Sequence, residues 1–237
     1  MAPILHILRH GQGFHSITEN GHMLRDPELT PKGREQCAAR CASFDRHDKV
    51  ELLLASPLRR ALQTCQLCFE PCVERGLKIV ALPYAEEASD DPSDTGSDQA
   101  VLHKEFPNQV DFDHVSEGWY IHDGDYAITP KALHARATKL RRWIRDRPEK
   151  EVVLVAHGFF NHYITSDVDE NGVQTTPWWR ETEIRTFAFE EGDTEDARIV
   201  ETAESLSMRK AEEAGLKSAD EGRAEAPRTK KQAELAS

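Results

Sequence analysis

The sequence predicts an α/β fold, a three-layer sandwich with a mostly parallel central sheet flanked by helices. Three observations predict it. Two largely apolar runs of strand length, from Ile4 to Leu8 and from Val152 to Val155, each lead to an imidazole and a glycine, at His10-Gly11 and His157-Gly158. Buried strands of parallel sheets read as such runs because helices cover both of their faces. Helical periodicities alternate with these runs along the chain, the pattern of successive βα units. The 237 residues suit one α/β domain with a sizeable core.

The elements follow in order. The first strand stops at Arg9-His10-Gly11-Gln12-Gly13, where the glycines allow a tight turn and leave N–H groups to face an anion. A polar loop, Phe14 to Leu29, precedes Thr30-Pro31. These two read as N-cap and first position of a helix reaching about Phe44, with Cys37, Ala38 and Cys41 inward. Val50 to Ala55 is a second buried strand. Leu58, Ala61, Leu62, Cys65, Cys68 and Phe69 then recur at helical spacing. Lys78 to Leu82 is a third strand, opening into Glu86 to Asp98, a run of six acids and no base. The segment Asp98 to Asp125 is expected to cap the sheet. Its Phe106, Phe112, Trp119 and Tyr120 read first as core and second as the lining of a cleft. Thr129-Pro130 opens a helix with Leu133, Ala137, Leu140 and Ile144 on one face. A short helix through Phe159, Phe160 and Tyr163 follows His157. Glu183 to Phe189 alternates as a strand, Gly192-Asp193 turns, and Arg198 to Val200 pairs back. One domain is expected over residues 1–204. From Ser205 to Ser237 small and charged residues dominate, the composition of a disordered or frayed helical tail.

Composition narrows the function. A net charge of −12 argues against nucleic acid and against an anionic membrane surface. No apolar stretch reaches bilayer length, and the N-terminal run, broken by His6 and Arg9, does not read as a signal peptide. Five cysteines, an odd number at helical spacings, describe buried small side chains and not a disulfide framework. A cytoplasmic setting is expected, with no cofactor and no metal. Calcium or zinc sites fit the spacings poorly.

The candidate site lies where strands end, since ligands of open α/β sheets bind beyond the carboxyl ends of strands. Arg9 and His10 stand at one such end and His157 at another. Arg59 and Arg60 occupy the first turn of the helix after the second strand, where the helix dipole repels cations. A bound anion would resolve that conflict for one of them, and solvent for the other. The acidic loop after the third strand can send one carboxyl into the same pocket; the bland reading is a solvated loop. An acidic body with arginines at strand ends suits a small anion.

Five segments carry a resemblance: LRHG at 8–11, LTPKG at 29–33, SPLRRALQT at 56–64, EEASDDPSDTG at 86–96 and VAHG at 155–158. Their order and spacing resemble the histidine phosphatase superfamily, its phosphoglycerate-mutase-like branch and fungal-type members in particular, over nearly the whole chain to about residue 190. The resemblance implies a phosphatase that hydrolyses a small phosphorylated metabolite through a phosphohistidine on His10. It implies that Arg9, Arg60 and His157 hold the phosphate oxygens, with Gly11, Ser16 and Gly158 lining the substrate site. Glu87 would protonate the leaving oxygen, with Glu86 its rival. Two departures bear on the substrate: Ser16 stands where many relatives carry Asn, and Glu181 replaces the Asn of a Trp-x-Asn-Thr-Glu run. A phosphomutase, or an anion pocket turned to binding or non-hydrolytic chemistry, is the alternative. The particular metabolite and the oligomeric state stay open.

Overall fold

The computed structural model describes residues 2–192 and 195–220. Seven strands form one sheet: β1 (Ile4–Arg9), β2 (Leu52–Ala55), β3 (Ile79–Ala81), β4 (Val110–Asp111), β5 (Glu151–Ala156), β6 (Ile184–Phe189) and β7 (Ile199–Glu201). The helices are α1 (Pro31–Ser43), α2 (Arg59–Cys68), α3 (Glu70–Glu74), α4 (Gln99–Glu105), α5 (Pro130–Arg145), α6 (Phe160–Ile164) and α7 (Ala203–Asp220). The spatial order of the strands is β4-β3-β2-β5-β1-β6-β7. The first five in that order run parallel, and β6 and β7 add an antiparallel edge.

Side-chain alternation along the strands sets the layers. Leu8, Leu53, Val153 and Val155 point to one face and pack with residues of α1 to α4, among them Cys37, Leu62, Cys65, Cys72 and Leu102. Leu5, Ile7, Leu54, Val152 and Leu154 point to the other and pack with Leu133, Leu140, Ile144 and Phe160 of α5 and α6. Each such fully buried side chain stabilises the fold by roughly 1.5–3 kcal/mol. The cysteines are free, and all but Cys41 are buried in this packing.

Two helix starts follow the sequence prediction. Thr30 accepts a hydrogen bond from Gly33 N at 2.9 Å, with Pro31 in the first turn. Thr129 accepts one from Ala132 N, with Pro130 in the first turn. Such a cap is worth about 1 kcal/mol.

One segment differs from expectation. The capping segment adds a strand, β4, to the sheet edge, because Val110 buries its side chain there. Of its aromatics, Phe106, Phe112 and Trp119 are core, and Tyr120 bonds Asp98 through its hydroxyl. The chain from Ser205, read as a disordered or frayed helical tail, is helical as far as Asp220, and its first turns are docked. Ser205 Oγ accepts from Thr186 N at 2.9 Å, and Arg209 pairs with Glu201 at 2.9 Å. The remainder of that stretch, 221–237, and Asp193 of the expected turn lie outside the described residues. Among the described residues no helix is long and apolar enough to cross a membrane.

Candidate active site

β1 and β5 are neighbours in parallel register, with Arg9 opposite Ala156. The next residue of each strand is a histidine, so the two imidazoles leave adjacent strand ends on one side. Their ring centroids are 5.1 Å apart, and His10 N donates to Ala156 O at 3.0 Å.

Hydrogen-bond partners assign the tautomers. His10 Nδ1 donates to Gly11 O at 2.7 Å, and Arg60 Nε donates to His10 Nε2 at 3.3 Å. The lone pair therefore sits on Nε2. His157 is the complement. Its Nδ1 accepts from Arg60 Nη2 at 3.2 Å, so Nε2 carries the proton, and that atom has no partner among the described residues. Both rings are buried. Burial, with Arg60 the next cause for each, holds both well below the usual histidine range, so both are neutral at pH 7.

Arg60 is the hub. It is 1 % exposed, and besides the two histidines it donates to Ser93 O and to Asp94 Oδ1, each at 2.7 Å. Its neighbour Arg59 turns outward to Glu28 and Glu105. The cation at the start of α2 is offset by protein as well: Asp26 Oδ1 accepts from Arg59 N at 2.9 Å.

Arg9 is set by the turn before β6. Its Nη1 donates to Trp179 O at 2.5 Å, and its backbone N to Glu183 O at 3.1 Å. That turn is braced by Glu183, which accepts from Arg180 N and Arg185 Nε, both at 2.7 Å. Gly158 lies against Arg9: a Cβ there would sit 3.0 Å from Arg9 Nε and 3.1 Å from Trp178 Nε1. The glycine is required by this close approach.

The two glutamates separate cleanly. Glu86 is fully buried in an ion pair with Arg136 Nη1 at 3.0 Å. The Glu87 carboxylate caps the turn after His157, accepting from Phe159 N at 3.2 Å and from Phe160 N at 2.9 Å. Burial first, then the Asp94 charge, push Glu87 up from the usual carboxyl range against the pull of those amides.

Of the residues singled out from sequence, Arg9, His10, Arg60, His157 and Gly158 converge, and Glu87 joins them by bonding the backbone of Phe159, two residues past His157. Gly11 and Ser16 are placed otherwise. Gly11 N donates to Thr64 Oγ1 at 3.0 Å, so it does not face the pocket. Its lack of a side chain serves α1, since a Cβ would come within 2.9 Å of Gly33 O. Ser16 is exposed at the end of a short 3-10 turn, and it is His15 that faces the site. The His15 ring lies 5.6 Å from that of His10, and burial, then Arg60 and Arg9, bring it down to about 2. Glu181, expected at the pocket wall, accepts from Gln36 Nε2 at 2.8 Å. Gln36 in turn accepts from Gln12 N at 2.9 Å, so this acid braces the loop after His10 from behind. The sequence reading missed His15, Asp94 and Trp178. Trp178 is stacked with Phe159 at 6.1 Å. Among the described residues no three His, Cys, Asp or Glu side chains are grouped to hold a metal ion.

Comparison with known proteins agrees with this geometry. The sequence profile described as histidine phosphatase superfamily (branch 1) matches residues 5–202. A probable phosphatase of Schizosaccharomyces pombe is 31% identical over 159 residues, covering 65% of this chain and 73% of that protein. Phosphoglycerate mutase-like protein 1 of Arabidopsis thaliana is 27% identical over 200 residues, covering 68% and 71%. Among solved structures, a mycobacterial glucosyl-3-phosphoglycerate phosphatase superimposes with a TM-score of 0.53 at 21% identity, covering 85% of this chain and 97% of that one. With its two strand-end histidines and a match over almost the whole fold, the chain belongs to branch 1 of the histidine phosphatase superfamily and is a phosphatase with a phosphoglycerate-mutase-like α/β fold.

Proposed function

We propose that this phosphatase hydrolyses a small phosphomonoester in two steps through His10. The Nε2 lone pair forms a bond to phosphorus while the ester P–O bond breaks, and the leaving oxygen takes the proton held by Glu87. Water then attacks the phosphohistidine and gives its proton to the Glu87 carboxylate. The P–N bond breaks, phosphate leaves, and His10 is restored. A nitrogen nucleophile divides one hard displacement into two easier ones.

One observation carries the reading: Nδ1 of a buried, neutral His10 is tied to Gly11 O, so the lone pair lies on Nε2, where an entering phosphoryl group would displace the Arg60 N–H that it accepts. Phosphoryl transfer spreads charge over three equatorial oxygens, and fixed donors are its main requirement. Arg9, Arg60 and the unpartnered His157 N–H supply them. Arginine suits the task through its planar fork of donors. These cations stand where a divalent metal would otherwise bring charge, so the reaction is proposed to be metal-independent. The free cysteines support a cytoplasmic setting. The only partner proposed is the small anionic substrate.

The test is a panel of small phosphomonoesters and a generic aryl phosphate, run against the chain and against His10→Asn. Turnover that vanishes in the variant supports the reading. Turnover that persists refutes the role of His10, and a parent chain inactive on every ester favours an anion pocket turned to another use.

A further inference from the structure

The Asp94-Thr95-Gly96 run is not used by the chemistry above, yet it is built into the site. Asp94 is 8 % exposed, at the end of a one-turn 3-10 helix from Pro92. One carboxylate oxygen accepts from Arg60 Nη2 at 2.7 Å and the other from the Ser89 hydroxyl. Residues on either side hold the loop in place. Ser93 O accepts from Arg60 Nη1 at 2.7 Å. Ser97 N donates to the buried Asp26 at 3.0 Å, and Arg25 donates to Gly96 O. Gly96 has no room for a side chain, since a Cβ would come within 2.1 Å of the Trp119 ring. The loop is thus a rigid mount for one carboxylate, and that carboxylate grips the guanidinium that touches both site histidines.

We propose that Asp94 is a positioning residue of the phosphatase reaction, an internal anion that aims Arg60 at His10 and His157 and offsets its charge. Two consequences follow, both resting on the phosphatase reading above. Asp94 shares Arg60 with any bound phosphate, which loosens the hold on the product. A buried ion pair is also more directional than a solvated arginine, because its fork is fixed before substrate arrives.

The same carboxylate acts on Glu87. The groups facing Glu87 are Asp94 from its own loop, Arg136 from α5, and the amides of Ala88, Phe159 and Phe160. Asp94 is the negative one among them. It favours the protonated form of Glu87, the form that can donate to a leaving oxygen.

The test is Asp94→Asn, which keeps the shape and an acceptor oxygen but removes the charge. Three readouts are expected together. Inhibition by inorganic phosphate tightens on the order of tenfold or more, the scale of one charge removed a few ångströms away in a partly dry site. The alkaline limb of kcat moves to lower pH, because Glu87 loses its like-charged neighbour. The value of kcat itself falls, as Arg60 is held less firmly. Asp94→Glu retains the charge and should leave the alkaline limb in place while kcat drops. A purely structural role would raise KM and weaken phosphate inhibition together with no shift of the limb, and that outcome overturns the proposal, as does an unchanged Asp94→Asn. If Asp94→Asn does not fold, Ser89→Ala decides: lower kcat with an unmoved alkaline limb supports the positioning role, and unaltered kcat overturns it. An inactive parent chain would instead sink the phosphatase reading, so the two failures are distinct.

Discussion

Arg60 donates through Nε to Nε2 of His10 at 3.3 Å, and in the proposed reaction this one contact keeps the nucleophile ready. A cation beside an imidazole disfavours its protonation, and burial adds to that effect. In the proposed reaction the same fixed guanidinium holds phosphate oxygens, so the group beside the lone pair also binds the electrophile.

The first prediction concerns the intermediate. Brief reaction with a labelled phosphoester, followed by acid or alkali, should leave a label stable to alkali and lost in acid, as a phosphoramidate is. His10→Asn should abolish it. A label mapped to Ser16 or to a cysteine contradicts the mechanism.

Glu87 and Glu86 should respond to substitution in different ways. Glu87→Gln removes the acid and should slow alkyl phosphate hydrolysis by about 10²–10⁴-fold, the usual worth of general acid help. An aryl phosphate with an acidic leaving group should suffer far less. Glu86→Gln leaves Arg136 buried without its counter-charge and should cost roughly 3–5 kcal/mol of stability. Urea unfolding and the two substrates, measured side by side, separate these effects. Equal kinetic losses on both substrates in Glu87→Gln would remove it from the acid role.

The pH profile follows from two directions of shift. Hydrolysis needs His10 unprotonated, and its lowered range places the acid limb below the ordinary histidine value of 6.5. It needs Glu87 protonated in the substrate complex, so the alkaline limb reports a carboxyl raised above 4.5. The optimum is therefore acidic of the value expected for a solvent-exposed histidine. An acid limb at 6.5 or above would show that His10 is not held neutral in this way.

A further titration can be read from stability. His162 is buried on α6, and burial is the main cause that brings it down to about 4. A group depressed on folding contributes fully above its unfolded value, and the contribution fades as pH falls from 6.5 toward 4. His162→Gln should therefore lose less stability, relative to the parent, as pH drops through that window, by ~1.4 kcal/mol per pH unit. Thermal or urea unfolding of both proteins between pH 7 and about 5 checks the slope. A difference that does not change with pH would mean His162 titrates normally.

Metal independence makes the fourth functional prediction. Turnover should survive prolonged chelation, because Arg9, Arg60 and His157 carry the charge work. Activity lost to the chelator and restored by one divalent ion would point to the acidic loop instead.

Much of this site was legible in the sequence because parallel sheets place chemistry at strand ends. Arg9, His10 and His157 follow apolar strands directly, and Arg60 opens the helix after another. Their convergence needs only adjacency of β1, β5 and β2. Asp94 was not legible, as one of six acids in a loop without period, and only the folded path brings it to Arg60. His15 was hidden because a single 3-10 turn decides whether residue 15 or 16 looks inward, and the family resemblance pointed to Ser16. Gly11 was read as an anion contact, although the crowding of α1 against it is what excludes a side chain. Glu181 looked like a pocket wall by its place in a motif, yet its carboxylate bonds Gln36.

The sheet order has a temporal side. β1 is made before every other described strand, but its neighbours in the sheet are β5 and β6, from the far end of the described chain. At about 5–20 residues per second the nucleophile's strand waits roughly ten to forty seconds for both partners. Until β5 is made, Leu5, Ile7 and Leu8 have no neighbouring strand to join. The chain should thus be most exposed to chaperones and proteases as a nascent intermediate, and its candidate pocket is complete only once β5 and β6 have been made.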